Sequence, residues 1–403
     1  MDETRQIRLF KLTAVLIIVL VPLVVLEIAL RWRMPQLGWT QRTDACLGWS
    51  SREYRDFDPE ARSKPDVTRI LFLGDSFLAG AGVSDLDHRF PVVLSEMLGP
   101  HVEIAILASG AWGTDQELLA FRAKGAAWDP DIVVLAFCAN NDISNILSHH
   151  HGPTMLKPYF TLDEESNLTL HDTFGARMEG GVQAADEQKT QIAAWKRFYV
   201  LRWIGLSIQP GPSDERHDLA RFSGVDPQYR EFLFWNEKPL EIYKTQDSLS
   251  WAPHMGINHV SAYIHEDFSR NSYQWRLFER LVVELRDDVQ QGGGELVVML
   301  LPAIFNPWDL DTVAGGPFEK KFATPDGEFT FRSAEPRDRL DAICSRNGIR
   351  FLDPTWEFRR TIAAHDLHAK VWPPPHDRHF SDVGHNVLAM TTARWFRAFL
   401  DAR

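Results

Sequence analysis

Four short stretches, far apart in the chain, hold residue types that together can make an activated nucleophile and donors for the negative charge it develops. The first, Leu73-Gly74-Asp75-Ser76-Phe77, leaves a very apolar run, so Ser76 falls at a strand's C-terminal end where a helix begins. An alcohol there is exposed, and a helix N-terminus favours the negative charge that develops as it attacks. A serine hydroxyl barely ionises at neutral pH and needs a base, a role that suits the ordinary pKa of histidine. Near the C-terminus, His376-Asp377-Arg378-His379-Phe380-Ser381-Asp382 offers His379 as that base. Asp377, two residues earlier, can turn back to hold the second imidazole nitrogen.

The other two stretches supply hydrogen-bond donors. In Ala108-Ser109-Gly110-Ala111-Trp112-Gly113-Thr114, Gly110 lets a backbone amide approach an oxyanion without a Cβ in the way. In Ala139-Asn140-Asn141-Asp142, the Asn141 side chain can donate its NH₂, and Asp142 can cap the helix that follows. Singly, each stretch is an ordinary turn or helix cap. Gly80 and Gly82 form no GxGxxG, and no Lys-Ser/Thr pair follows, which excludes dinucleotide and P-loop readings. A metal reading of His376, His379 and His385 with Asp377 lacks HExxH-type spacing, and no cofactor or metal is expected. His149, His150 and His151 read as a solvated turn, and His254, His259 and His265 lack ligand spacing.

These stretches need a scaffold that brings strand ends together. Apolar, β-branched runs at 67–74, 102–108 and 131–137 alternate with helical patterns near 90–98 and 114–126. The alternation returns at 295–301, with a helix near 335–347, a strand at 349–353 and a last helix from about Gly384. It predicts an α/β fold, a parallel sheet covered by helices. The interruption, 145–290, is too long for a plain loop and reads as a cap or substrate-binding insertion at the sheet's C-terminal edge. It holds Trp195, Trp203, Trp235, Trp251 and Trp275, which either face a ligand or form the insertion's own small core.

Leu12–Leu30 is apolar over roughly 19 residues, about 28 Å as a helix, which matches a bilayer's hydrocarbon thickness. With no small-x-small exit, it reads as an uncleaved anchor rather than a signal peptide. Arg5, Arg8 and Lys11 before it are matched by Arg31, Arg33 and Arg42 after it, so charge leaves the topology open. The short N-terminal tail favours an inner-membrane, single-pass arrangement with the body extracytoplasmic, in the periplasm. The expected organisation is a tail at 1–11, an anchor at 12–31, a linker at 32–66 and a folded domain at 67–403. A net charge of -12 without a basic run excludes a nucleic-acid partner. Three scattered cysteines, Cys46, Cys138 and Cys344, give no disulfide framework.

In their order, each after a strand or before the last helix, the four stretches resemble blocks I, II, III and V of the SGNH (GDSL) hydrolases. The resemblance covers roughly 67–144 and 295–400. Leu26-Glu27 with Leu30-Arg31, Leu47-Gly48-Trp49 and Lys157-Pro158-Tyr159-Phe160 are similar to membrane-tethered bacterial members. It implies a three-layer α/β/α, flavodoxin-like sheet and an esterase. Ser76 would be the nucleophile, His379 the base and Asp377 its orienting carboxylate. The Ser76 amide, Gly110 and Asn141 would form the oxyanion hole. Two positions depart from the pattern: Ala139 replaces the glycine two before the block III asparagine, and Asp377 lies two rather than three before His379. The expected substrate is an acylated envelope glycan or lipid-linked molecule losing small O-acyl or acetyl groups. The alternatives are an O-acyltransferase using the same serine and a non-catalytic, membrane-tethered glycan-binding or assembly subunit.

Overall fold

The computed structural model describes residues 20–29, 42–44, 47–50, 66–139, 142–147, 155–163, 165–171, 261–267, 269–302, 319–324, 327–372 and 379–403, with a few single positions between them. The chain divides into two compact units: Met1–Arg42 with Gln183–Glu215, and Thr43–Val182 with Arg216–Arg403. In the first unit, residues 20–29 form a helix whose large apolar side chains, such as Val24, Val25 and Ile28, are exposed. Among the described residues no helix is long and apolar enough to cross a membrane. Half of the expected anchor, residues 12–19 and 30–31, lies outside them.

The second unit is built on five parallel strands: β1 Thr68–Gly74, β2 Val102–Ala108, β3 Ile132–Phe137, β4 Glu295–Leu300 and β5 Arg350–Leu352. Their spatial order is β2-β1-β3-β4-β5, the doubly wound order of flavodoxin-like sheets. Strand alternation sends Leu71, Leu73, Val133 and Leu135 into one core, and Ile70, Phe72, Ile132 and Val134 into the other. The central strand β3, Ile-Val-Val-Leu-Ala-Phe, is buried throughout, as a strand covered on both faces must be.

Helices α1 Ser76–Ala79, α2 Phe90–Leu98, α3 Thr114–Ala120 and α4 Asp142–Asn145 follow the first three strands. After them come α5 Ser269–Gln291, α6 Glu335–Arg346, α7 Thr355–Ala364 and α8 Asp382–Asp401. Apolar residues of α3, α5 and α6 share a core with one sheet face, and those of α2, α7 and α8 share a core with the other. The result is three layers. The helix expected over 114–126 is regular only to Ala120; Phe121–Gly125 widens into a π turn and Ala126–Trp128 tightens into a 3₁₀ turn.

Two segments with other expected roles contribute to this body. Helix α5, within the expected insertion 145–290, lies in sequence between β3 and the adjacent β4, and buries Tyr273, Leu277, Phe278, Leu281, Leu285 and Val289. Trp275, one of the insertion's five tryptophans, is core: it packs on Phe137 and Phe278. The other four lie outside the described residues. Within the expected linker, 32–66, Leu47, Trp49, Ser50 and Tyr54 are buried. Lys124 Nζ donates to the Tyr54 and Phe57 carbonyls at 2.9 and 2.8 Å. Cys138 and Cys344 are buried, and burial pushes the Cys344 thiol up to about 12.

Lys157 is fully buried and forms an ion pair with Asp115, at the start of α3. Burial lowers the Lys157 ammonium and raises the Asp115 carboxyl, each opposed by the other's charge. A pair so placed adds little net stability, but removing one partner strands the other charge in the core. Lys157→Met is therefore expected to lower the unfolding free energy by about 3–5 kcal/mol in urea titrations. Adding Asp115→Leu should recover much of that loss.

Candidate active site

The sheet register sets the site. Gly74 of β1 pairs with Ala108 of β2, so Ser76 and Gly110 each lie two residues beyond the same rung. Ser109 N–H donates to the Gly74 carbonyl at 3.3 Å, continuing that ladder one residue past its end. The edge lies where strand order reverses between β1 and β3, the place where open α/β sheets bind ligands. Asp75 ends the strand and caps α1, its carboxylate accepting from Phe77 N–H at 2.9 Å. Ser76 is thereby the first residue of a one-turn helix, partly exposed.

His379 reaches this point from the other end of the chain. Its Nε2 lies 2.7 Å from Ser76 Oγ, a distance for direct proton transfer. Three contacts hold the histidine in place. Phe380 is fully buried against Phe77, Phe358 and Trp372. Ser381 caps α8, its backbone N–H also donating to the Val371 carbonyl at 2.9 Å. Asp382 accepts from Ser84 N–H at 2.8 Å and from Ser84 Oγ at 2.6 Å, joining the loop after α1 to the start of α8. Gly82 makes the approach possible: it has φ of 94°, and a Cβ there would sit 2.4 Å from the Phe380 carbonyl oxygen.

The structure thus brings together Ser76 and His379 and sets Gly110 on the same edge. Asn141 and Asp377 lie outside the described residues. His385, weighed with His376 and His379 as a metal ligand, is instead buried, with Nδ1 accepting from Phe90 N–H at 3.2 Å, the first residue of α2. Burial pushes it down to about 4. Among the described residues no group of His, Cys, Asp and Glu could hold a metal ion.

Beneath the site lies a feature that motif spacing did not disclose. Asp75, Glu117 and Asp142, one from each of the first three stretches or the helix it opens, are wholly buried. Burial, and then the charges of Asp75 and Asp115, push the Glu117 carboxyl well above its ordinary 4.5. The Thr114 hydroxyl offsets part of this, although the geometry falls short of a formed hydrogen bond. Asp142 is raised too, first by burial and then by Glu117 and Asp75. One Asp142 oxygen accepts from Cys138 N–H at 2.6 Å. Burial and the neighbouring carboxylates thus favour the protonated form of Glu117 and of Asp142.

No family model matches the sequence, and no curated protein is significantly similar to it. Several solved structures resemble the chain at low identity. An aryl esterase of M. smegmatis is 13% identical, with 82% of this chain and 99% of that chain covered and a TM-score of 0.33. An acetyl xylan esterase gives 11% identity, 82% and 98% coverage and a TM-score of 0.36. A carbohydrate acetylesterase from Sinorhizobium meliloti gives 10% identity, 82% and 99% coverage and a TM-score of 0.32.

Two outcomes follow from this geometry. Gly82→Ala must displace the His379–Phe380 backbone, and if His379 serves Ser76 as base, a misplacement of about 1 Å costs on the order of a hundredfold. Its rate of covalent labelling by a fluorophosphonate should fall by about that factor. For Glu117, the folded value is raised above the unfolded one, so its contribution to stability is complete below about pH 4.5 and is lost as pH rises toward the folded value. Glu117→Gln keeps the neutral shape. Its unfolding free energy should match wild type near pH 4 and exceed it increasingly as pH rises above about 4.5, by up to about 1.4 kcal/mol per pH unit in that window. An unchanged difference across pH would mean that Glu117 is ionised in the fold.

Proposed function

We propose that the chain is a serine-dependent carboxylic-ester hydrolase working through an acyl-serine intermediate. The observation that carries this reading is the 2.7 Å contact between Ser76 Oγ and His379 Nε2 at the sheet's switch point. Ser76 Oγ attacks the acyl carbon while His379 takes its proton, so a C–O bond forms and the carbonyl π electrons move to the oxygen. The Ser76 amide, the Gly110 amide and the Asn141 side chain are the proposed donors to that oxyanion. Collapse returns the electron pair, expels the alcohol with the proton from His379 and leaves the acyl group on Ser76. Water, deprotonated by His379, repeats the sequence and releases the acid. Asp377 is the proposed carboxylate to orient the imidazole and stabilise its cationic form.

The proposed substrates are O-acylated, chiefly O-acetylated, envelope glycans or lipid-linked molecules. The chain would be held at the inner membrane by residues 12–31, with the catalytic body in the periplasm. The exposed Val24, Val25 and Ile28 support a hydrophobic environment for that helix. In the acyltransferase alternative, a sugar hydroxyl replaces water in the second step with the same residues.

A fluorophosphonate probe should label wild type and leave Ser76→Ala unlabelled; a folded wild type that resists labelling would favour the binding-subunit role. Asp377→Asn should keep the fold and reduce kcat on an activated acetate ester by about three to four orders of magnitude. Incubation with an acyl donor and candidate glycans separates the two enzymes, since a hydrolase yields free acid and a transferase yields acylated sugar. A C-terminal reporter active only outside the cytoplasm should give signal, and silence would reverse the topology.

A further inference from the structure

The turn that carries Gly110 is strained and is held from outside its own stretch. Ser109 C=O accepts from Trp112 N–H at 3.2 Å, which closes a four-residue turn with Gly110 and Ala111 at its centre. Ala111 has φ of 62°. That angle belongs to the third position of a type II turn, where glycine is the usual occupant because a Cβ is strained there. Strain of this kind persists only where the surroundings over-determine the backbone.

Each peptide plane of the turn has a tether. A trans peptide points its N–H opposite its C=O, so fixing one fixes the other. The Ser109–Gly110 plane, which bears the Gly110 N–H, is fixed by the bond from Trp112. The Gly110–Ala111 plane is fixed by Trp49, whose indole Nε1 donates to the Gly110 carbonyl at 2.9 Å. The Ala111 carbonyl accepts from Asn145 Nδ2 at 3.1 Å. Trp112 in turn donates its indole N–H to the Trp49 carbonyl at 2.8 Å, and Gln116 Nε2 donates to the Leu47 carbonyl at 2.6 Å. Trp49 and Trp112 are almost wholly buried, so little water competes for these bonds.

We propose that Trp49 is a positioning residue for the oxyanion hole: by holding the Gly110 carbonyl, its indole N–H keeps the strained turn closed, and the closed turn, through the Trp112 bond to the Ser109 carbonyl, aims the Gly110 amide at the reacting acyl oxygen. This rests on Gly110 being an oxyanion donor in the reaction proposed above. Without the indole donor the strain at Ala111 is relieved by opening the turn, the Trp112 bond that fixes the Ser109–Gly110 plane is lost, and the Gly110 amide leaves its line. Ground-state binding, which does not use a developed oxyanion, is spared.

The test is steady-state hydrolysis of p-nitrophenyl acetate by the full chain, with Ser76→Ala as the blank. Two changes at position 49 are compared: Trp49→Phe, and Trp49→3-benzothienylalanine, which keeps the indole shape and loses only the N–H. Removing an oxyanion donor outright costs about a hundredfold to a thousandfold, so misaiming one is expected to lower kcat by about tenfold to a hundredfold. KM should stay within about twofold. Ala111→Gly, which removes the strain that opens the turn, should restore part of kcat in either background, a rescue that a purely structural role would not give. Full kcat in a folded benzothienylalanine protein, or a change confined to KM, overturns the role of Trp49. Wild type no faster than Ser76→Ala overturns the ester-hydrolase reading, and this proposal with it.

Discussion

A 2.7 Å contact between two side chains 303 positions apart exists only if both backbones are fixed to a fraction of an ångström. Helix α1 is too short to fix its own end. The loop that follows it, through Gly82 and Ser84, lies directly on the residues after His379. Because Gly82 has no Cβ, the Phe380 carbonyl comes closer than any other residue would allow, and the Ser84 bonds to Asp382 close the clasp. On its far side, Phe380 fills a pocket lined by Phe358 and Trp372. The imidazole is therefore positioned by dense packing on one side and by hydrogen bonds on the other.

The same edge is costly to build. Asp75 and Asp142 each accept a backbone N–H where a strand gives way to a helix, and these bonds need carboxyl oxygens. The two turns stand on adjacent strands, so the carboxyls come close together in the interior, with Glu117 beside them. Holding the group together requires protons on some members, and the Lys157 charge serves Asp115 first. Lys157 lies in the segment leaving the site and Asp115 in the helix opened by the Gly110 stretch. A buried pair of that kind adds little net stability, because desolvation offsets most of the attraction.

Much of the frame was legible in the chain. Strands at 68–74, 102–108, 132–137, 295–300 and 350–352 match the apolar runs to within one residue at either end, because a buried parallel strand needs a continuous apolar, β-branched sequence. Ser76 and His379 were legible as chemistry. Helix α5 was not separated from the insertion, although Tyr273, Leu277, Leu281 and Leu285 recur every four residues. Its pattern shows a helix but not where the chain rejoins the sheet. The segment around Leu47 and Trp49 read as a linker because three or four residues carry no periodicity, and its burial comes from contacts with Trp112, Gln116 and Lys124.

The sequence by itself determined the order of strands and helices and the chemical types at their junctions, since hydrophobic period, capping residues and side-chain pKa are local properties. The tertiary structure alone decided that the Ser84 loop would clasp the His379 loop, that Trp49 would hold the Gly110 turn, and that three carboxyls would meet beneath Ser76. Those pairings depend on which loops the 2-1-3-4-5 strand order makes neighbours, and a contact between residues far apart in sequence leaves no mark on either segment alone.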